Sequence, residues 1–210
     1  KCQMWICATG AKASKKIAIY NFRTDRKKST AEAMLNNYHG IVQTDGYVAY
    51  GDGDYINAGC WSHCRRKFWD SIPPKNKKCK AAVAVRLIDK AMELERVARE
   101  ENYDDERLMK MRREKVKPII EEFYELVNSL SPSKGSHLYG AVTYALNQKK
   151  ELLVFLEHPE VEMTNNLAER TVKPFVIDRK NFLFSDTEKG AEASAAAMTI
   201  IETAKRNGLD

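Results

Sequence analysis

Residues 41–50 read IVQTDGYVAY and place an acidic residue at the end of a short apolar run. Residues 41–44 pass from apolar to polar, which predicts a strand with Asp45 at its C-terminal tip. Functional side chains of α/β proteins collect at the C-terminal ends of strands, so Asp45 is a candidate functional carboxylate. Asp-Gly is also a common turn sequence, and that interpretation stays open at this stage.

Upstream of this run the pattern predicts a hairpin followed by a short helix. Residues 3–9 (QMWICAT) and 16–22 (KIAIYNF) are rich in aromatic and β-branched residues, and a turn led by glycine separates them, as in two paired strands. Residues 29–32 (STAE) fit a capping box, in which the first and fourth side chains each bond the other's backbone N–H. A helix is therefore expected to begin at this box.

Downstream, a brief strand at 57–60 leads into a helix with Trp61 and Phe68 on one face. Cys60 and His63 have the spacing of half a zinc site, but the sequence offers no second pair to complete four ligands. The Cys60-x-x-His63 pair is therefore interpreted as a structural motif at the strand-to-helix junction.

A change of character at residues 71–74 (SIPP) opens a long helical segment, in which apolar residues recur at helical spacing in three stripes. The predicted organisation is a core formed by residues 1–72 and 160–210, interrupted by a helical insertion subdomain at 73–159. The stripes comprise Val83, Leu87, Ala91, Leu94 and Ala98; Val116, Ile119, Ile120, Phe123, Leu126, Val127 and Leu130; and Leu138, Ala141, Val142, Ala145 and Leu146.

The C-terminal part of the core contains a second candidate carboxylate. A predicted helix after Asn166 includes Glu169, and Pro174 ends or bends it. Asn166 and Glu169 also fit a capping box, in which Glu169 bonds the backbone N–H of Asn166 and has no other role. Farther on, the expected elements are an extended segment at 181–184 (NFLF) and a helix of small residues at 188–206.

Basic residues give the chain a formal net charge of +6, with 35 Lys and Arg against 29 Asp and Glu. This excess suits a polyanionic partner such as DNA, although each basic cluster also fits an ordinary solvated face. The candidate DNA-contacting residues are Arg65, Arg66, Lys67, Arg170, Lys173, Arg179 and Lys180.

Cysteine usage and hydropathy indicate the compartment. Five cysteines without regular spacing argue against a secreted disulfide framework and favour a reducing cytoplasm. No apolar run approaches the length of a membrane span and no signal peptide opens the chain, so no membrane association is expected. The sequence begins on strand-like residues without an initiator Met, which is interpreted as a piece of a longer protein.

Four strings of the sequence together resemble one protein family. They are IVQTDGYVAY (41–50), AGCWSHCRRKFWD (58–70), NNLAERTVKPFVIDRKNFLFS (165–185) and GAEASAAAMTIIETAKRNGLD (190–210). In combination they are similar to the transposases of the insertion-sequence sixty-six family, from about residue 3 to the C-terminus. The pattern NN-x-AER followed by RKN-x-LF is the most specific part, and the resemblance is loose across the helical segment.

The resemblance implies an α/β, ribonuclease-H-like fold with a mixed sheet, a helical insertion and an Asp–Asp–Glu triad that binds Mg²⁺ or Mn²⁺. Asp45 matches the family's second Asp and Glu169 its Glu. Cys60 and His63 match a Cys-x-x-His signature that follows the second Asp. The first Asp and the first strand are expected before Lys1 and are missing here, so this chain by itself is expected to be inactive.

The activity that the resemblance implies is cleavage of insertion-sequence ends and transfer of the cut strands to a target. The implied partners are double-stranded DNA (element ends and target), further copies of the chain in a homo-oligomer, and accessory transposition proteins, in a bacterial cytoplasm. Two alternatives stay open. One is a non-catalytic DNA-binding or assembly module on the same fold, and the other is a metal-dependent nuclease that cuts without joining.

Overall fold

Helices make up most of the chain, and the described strands form two small sheets. The structure is a computed structural model that describes residues 3–50, 53–76, 78–181, 185 and 187–209. The α/β class and the predicted order of strands and helices are confirmed. In chain order the elements are β1 (Gln3–Ala8), β2 (Ala18–Arg23), α1 (Lys28–Met34), β3 (Ile41–Gln43), β4 (Ile56–Ala58), α2 (Trp61–Asp70), α3 (Lys80–Glu100), α4 (Asp105–Met111), a π-helical turn (Arg112–Val116), α5 (Lys117–Asn128), α6 (His137–Asn147), α7 (Lys149–Leu153), α8 (Asn166–Asn181) and α9 (Glu188–Arg206). None of the helices in these described ranges is long and apolar enough to cross a membrane.

The chain divides into two compact units. The hairpin unit comprises Lys1–Gly40, Tyr47–Ile56 and Asn165–Asp210, and the helical unit comprises Ile41–Gly46 and Asn57–Thr164. The helical unit includes α2, because α2 packs against α3 and α6. Residues 57–72 therefore belong to the same compact unit as the helices that follow them, whereas the helical insertion was predicted to begin at residue 73. The boundaries of the insertion stay a prediction.

In the hairpin unit, β1 and β2 pair as an antiparallel hairpin, which confirms the prediction. Alternate residues of a strand face opposite sides of a sheet, and here each side is covered. On one side Ala18 and Tyr20 pack with Ala195 and Met198 of α9. On the other side Trp5 packs in a separate cluster with α1. Coverage on both sides accounts for the apolar residues at successive positions of these strands.

The helix α9 also covers the outer edge of β2. The hydroxyl oxygens of Thr199 and Thr203, one helical turn apart, accept hydrogen bonds from the backbone N–H of Tyr20 at 2.9 Å and of Ala18 at 3.1 Å. These bonds satisfy groups that an edge strand otherwise leaves unpaired. The described strands form two separate two-stranded sheets and not the expected mixed sheet, and α9 lies along the edge of β2 where a further strand would pair.

The predicted capping box at 29–32 is wrong. The helix α1 begins at Lys28, so Ser29 lies inside the helix, and no side chain caps its N-terminus. The preceding loop supports the helix instead, because the hydroxyl of Thr30 donates to the carboxylate of Asp25 at 2.5 Å.

The core of the helical unit lies where the sequence predicts apolar stripes. Trp61, Cys64 and Phe68 of α2 are each 0% exposed. Phe123 of α5 meets the rings of Trp61 and Phe68 edge-on, with centroid distances of 5.3 and 5.4 Å, an arrangement that aromatic pairs favour. Most stripe residues are buried in this core or packed against it. The prediction is wrong for Leu146, which is 41% exposed.

The C-terminal part of the chain forms two long helices. Pro174 lies inside α8 and does not end it. The packing of α8 against β1 stabilises the helix and offsets the one backbone hydrogen bond that is lost at Pro174. The extended segment predicted at 181–184 is wrong for Asn181, which is helical, and residues 182–184 lie outside the described residues. The predicted final helix is confirmed as α9.

Candidate metal-binding carboxylates and basic residues

Asp45 lies at the point where the chain leaves β3. The strand ends at Gln43, and the backbone N–H of Thr44 still donates to the carbonyl of Ala58 on β4 at 2.9 Å. Thr44 is buried, with 6% of its surface exposed, whereas Asp45 is exposed. The predicted position of Asp45 at the C-terminal tip of a strand is confirmed.

The Asp45 turn (residues 44–46) lies against the C-terminal half of α6. The hydroxyl of Tyr144 donates to the main-chain carbonyl of Asp45 at 3.1 Å. Gly46 has a φ of 81°, in the left-handed region that favours glycine. A Cβ at Gly46 would lie 2.8 Å from Oε1 of Gln148 and 3.2 Å from the hydroxyl of Tyr144. The positive φ therefore favours glycine after Asp45, and a Cβ at this position would require the end of the Gln148 side chain to shift.

Tyr144 is held in place within the helical unit. The ammonium group of Lys67 lies 5.0 Å from the centroid of its ring, which is a cation–π contact. Burial raises the pKa of Tyr144 above its ordinary value, and the nearby Cys64 and Cys60 raise it further. The hydroxyl therefore stays protonated, and remains a hydrogen-bond donor, across the physiological pH range.

Glu169 lies in the first turn of α8 and is exposed. Its backbone N–H donates to the carbonyl of Asn165 at 3.3 Å, so Asn165 occupies the N-cap position. A capping box of Asn166 and Glu169 would require Asn166 at that position, and this alternative stays open. The hydroxyl of Tyr20 donates to the carbonyl of the buried Thr171, which anchors this part of α8 on β2.

Asp45 and Glu169 belong to different units, Asp45 to the helical unit and Glu169 to the hairpin unit. Among the described residues, no group of three or more His, Cys, Asp and Glu side chains is arranged to hold a metal ion. That the two carboxylates share a divalent ion therefore stays a prediction. The donor chemistry of each one fits, because Mg²⁺ and Mn²⁺ prefer oxygen ligands.

Cys60 and His63 flank the first turn of α2, directly after β4. Cys60 is 0% exposed, and its carbonyl accepts from the backbone N–H of His63 at 3.2 Å. The indole of Trp61 donates to the carbonyl of Leu152 at 2.8 Å, and the backbone N–H of Trp61 donates to that of Met163 at 3.1 Å. The junction is thereby tied to α7 and to the segment before α8. This placement agrees with a structural role, and the expected absence of zinc stays a prediction.

The basic candidates differ in their surroundings. Arg65 pairs with Asp89 of α3 through two hydrogen bonds, the one from Nη2 to Oδ2 measuring 3.1 Å, so its guanidinium group has a structural partner. The backbone of α8 includes Arg179 and Lys180, whose side chains lie outside the described part of the structure. The exposed candidates are Arg66, Lys67, Arg170 and Lys173.

Tyr144 is a residue of the candidate site that the sequence analysis missed. Tyr144 is 99 positions away from Asp45, and no local pattern connects residues at that separation. The only signal in the sequence was the position of Tyr144 on α6, next to the apolar stripe, where a polar group borders the core.

Comparison with known proteins places these residues in a family. The chain matches the family model described as "Transposase IS66 family" over residues 1–193. This range contains Asp45, the Cys60-x-x-His63 pair and Glu169. The chain belongs to the IS66 transposase family. The resemblance identified from the sequence motifs is thereby confirmed.

Relatives of this IS66-family chain include three proteins of Sinorhizobium fredii (strain NBRC 101917 / NGR234). The uncharacterized protein y4qI is 32% identical over 204 residues, which cover 91% of this chain and 37% of the relative. The uncharacterized protein y4hP is 29% identical (92% and 38% covered), and the uncharacterized protein y4jD is 28% identical (100% and 43% covered). The chain thus spans 37–43% of the length of these curated relatives. No solved structure matches the chain significantly.

Proposed function

We propose that this chain is the catalytic core of a DNA transposase, which cuts the ends of an insertion sequence and transfers the cut strands to a target. The observation that carries the proposal is the family match over residues 1–193. Two geometric features support it: Asp45 is exposed at the tip of β3, and Glu169 is exposed in the first turn of α8.

A ribonuclease-H-like core is part of the proposal. It is supported within the hairpin unit, where an antiparallel hairpin precedes α1 and packs against both α8 and α9. Helices layered on a sheet are the general architecture of α/β proteins, in which side chains at strand ends carry the chemistry.

Asp45 and Glu169 are proposed as ligands of Mg²⁺ or Mn²⁺. When bound, such ions activate the attacking water or 3′-hydroxyl and stabilise the leaving 3′-oxygen of a phosphodiester. Hard divalent cations accept a few carboxylates together with phosphate oxygens and water. Two carboxylates on separate elements are therefore a suitable part of the ligand set.

Binding of DNA is assigned to the exposed basic residues Arg66, Lys67, Arg170 and Lys173. Lys and Arg that meet phosphates release counterions, so the affinity for duplex DNA falls steeply as the salt concentration rises. Joining two element ends to a target requires two active sites held together. A homo-oligomer, with accessory transposition proteins, is therefore included in the proposal.

The test uses the full-length gene product and linear DNA that carries the ends of its own element. Wild-type protein is expected to cleave the ends with Mg²⁺ or Mn²⁺, and both Asp45→Asn and Glu169→Gln to abolish cleavage. Their DNA affinity should stay nearly unchanged, because neither carboxylate releases counterions from DNA. Glu192→Gln, which alters an exposed carboxylate of α9, is the matched control and should cleave like the wild type.

Each alternative predicts a different result. Undiminished cleavage by Glu169→Gln would leave Glu169 as a residue of the helix start and overturn the mechanism. Binding of DNA without cleavage by the wild-type protein would favour a non-catalytic DNA-binding or assembly module. Cleaved ends without joined products would favour a metal-dependent nuclease.

A further inference from the structure

The turn that carries Asp45 has contacts on two sides. From α6, the hydroxyl of Tyr144 donates to the carbonyl of Asp45 at 3.1 Å. Within the turn, the backbone N–H of Gly46 donates to Oγ1 of Thr44 at 3.2 Å. These contacts restrict the direction in which the side chain of Asp45 leaves the backbone.

Tyr144 can transmit this restraint because α6 is anchored in the core of the helical unit. Ala141 and Ala145, on the same helix, are 1% and 0% exposed. The helix packs against α2, which also supplies Lys67 over the ring of Tyr144 at 5.0 Å. The hydroxyl is therefore presented to the turn from a fixed helix.

We propose that Tyr144 is a positioning residue, which fixes the Asp45 turn so that its carboxylate meets a divalent ion in one orientation. This inference rests on the proposed function, in which Asp45 is a metal ligand, and adds that a side chain of α6 supports that ligand. Tyr144 bonds the main-chain oxygen of Asp45, so it acts on the carboxylate through the backbone. Partners that hydrogen-bond directly to a ligating side chain typically change metal affinity by about 10–100-fold when they are lost, so a residue that acts through the backbone is expected at the lower end of that range.

The test measures Mn²⁺ binding to the full-length protein by electron paramagnetic resonance of the free ion. Tyr144→Phe is expected to weaken Mn²⁺ affinity about tenfold. Tyr124→Phe is the matched control, because the hydroxyl of Tyr124 also donates to a main-chain carbonyl, that of Ala145 at 3.3 Å. Each variant loses one hydrogen bond to a main-chain carbonyl. The bond of Tyr124 is buried and that of Tyr144 is exposed, so Tyr124→Phe should lose at least as much thermal stability, but only Tyr144→Phe should change Mn²⁺ affinity.

A pair of glycines gives a second, independent readout. Gly46 and Gly135 both have a φ of 81°, but a Cβ at Gly135 has nothing within 4 Å. Gly135→Ala therefore introduces backbone strain at a turn away from Asp45. Gly46→Ala introduces the same strain next to Asp45 and places a Cβ 3.2 Å from the hydroxyl of Tyr144. We expect Mn²⁺ affinity to fall with Gly46→Ala and to stay unchanged with Gly135→Ala.

Asp45→Asn separates this inference from the proposed function. If wild-type protein and Asp45→Asn bind Mn²⁺ equally, or neither binds it, Asp45 is not a ligand, and both the proposed function and the inference are overturned. If Asp45→Asn weakens binding but Tyr144→Phe and Gly46→Ala bind like the wild type, only the positioning role is overturned. Equal losses of Mn²⁺ affinity in Tyr144→Phe and Tyr124→Phe would also overturn it, since general loosening of the unit would explain both.

Discussion

Among single residues, Arg112 illustrates how a buried charge joins distant segments. Its side chain is 2% exposed and pairs with Glu95 of α3 through two hydrogen bonds of 2.8 Å. It also donates to the carbonyls of Phe155, of His158 at 3.0 Å and of Val161 at 2.9 Å. The π-helical turn, α3 and the segment after α7 are thereby held together. With five donors in one planar group, arginine can satisfy all of these acceptors at once.

Arg112→Met is expected to lower the free energy of unfolding by about 3–5 kcal/mol, because it leaves the carboxylate of Glu95 without its partner in a largely buried position. Urea denaturation measures the loss. Arg96→Met is the control, since Arg96 bridges Glu93 and Glu100 on the exposed face of α3. Exposed pairs contribute below about 1 kcal/mol, so equal losses in the two variants would contradict the role of Arg112.

At the level of elements, the buried face of α2 sets the reactivity of two thiols. Cys60 is the N-cap of α2 and Cys64 lies in its first turn, and each is 0% exposed. Burial raises the pKa of Cys64 above its ordinary value, and the neighbouring Cys60 raises it further. By contrast, Cys79 at the N-cap of α3 is partly exposed. Since the thiolate is the reactive form, a raised pKa and lack of access both slow alkylation.

Iodoacetamide at a mildly alkaline pH is expected to modify Cys79 in the native protein and to spare Cys60 and Cys64. Peptide mapping by mass spectrometry identifies the labelled positions. The same reaction in concentrated guanidinium is the control, because unfolding exposes the thiols to the reagent, so all should be labelled. Rapid labelling of Cys64 in the native protein would show that α2 does not pack as described.

At the scale of the whole molecule, the main feature is how the chain is divided between the two units. The chain passes from the hairpin unit to the helical unit and back more than once, so neither unit is one continuous stretch of sequence. Each core is therefore assembled from segments that are far apart in the sequence. Within the helical unit, irregular exposed segments at 73–76 and 131–136 connect the helices.

Limited digestion with trypsin tests this organisation within the helical unit. Lys75 and Lys134 are exposed in irregular segments, whereas Lys115 is exposed in the π-helical turn. Cleavage is expected after Lys75 and Lys134 well before Lys115, because a protease needs locally unfolded backbone and not only an accessible side chain. A time course analysed by mass spectrometry gives the order. Early cleavage after Lys115 would contradict the helical packing.

The sequence by itself determined the features that depend on neighbouring residues. The hairpin, the buried face of α2 and the extent of α9 follow from alternation, helical spacing and turn residues, all of which are local. The position of Asp45 after β3 and the family of the chain were also predictable, because both depend on short motifs of neighbouring residues. The capping box at 29–32 was not, because α1 begins two residues earlier than the box predicts and the loop contacts that support this start are absent from the local pattern.

Only the tertiary structure decided which distant groups meet. The bond from Tyr144 to Asp45 spans 99 positions, and one bond from Arg112 reaches a carbonyl 49 positions away. Pro174 remains inside α8 because packing against the hairpin outweighs a local preference. The physical reason is common to all three. Propensities depend on neighbours along the chain, whereas hydrogen bonds and burial depend on distances in space, which exist only once the chain has folded.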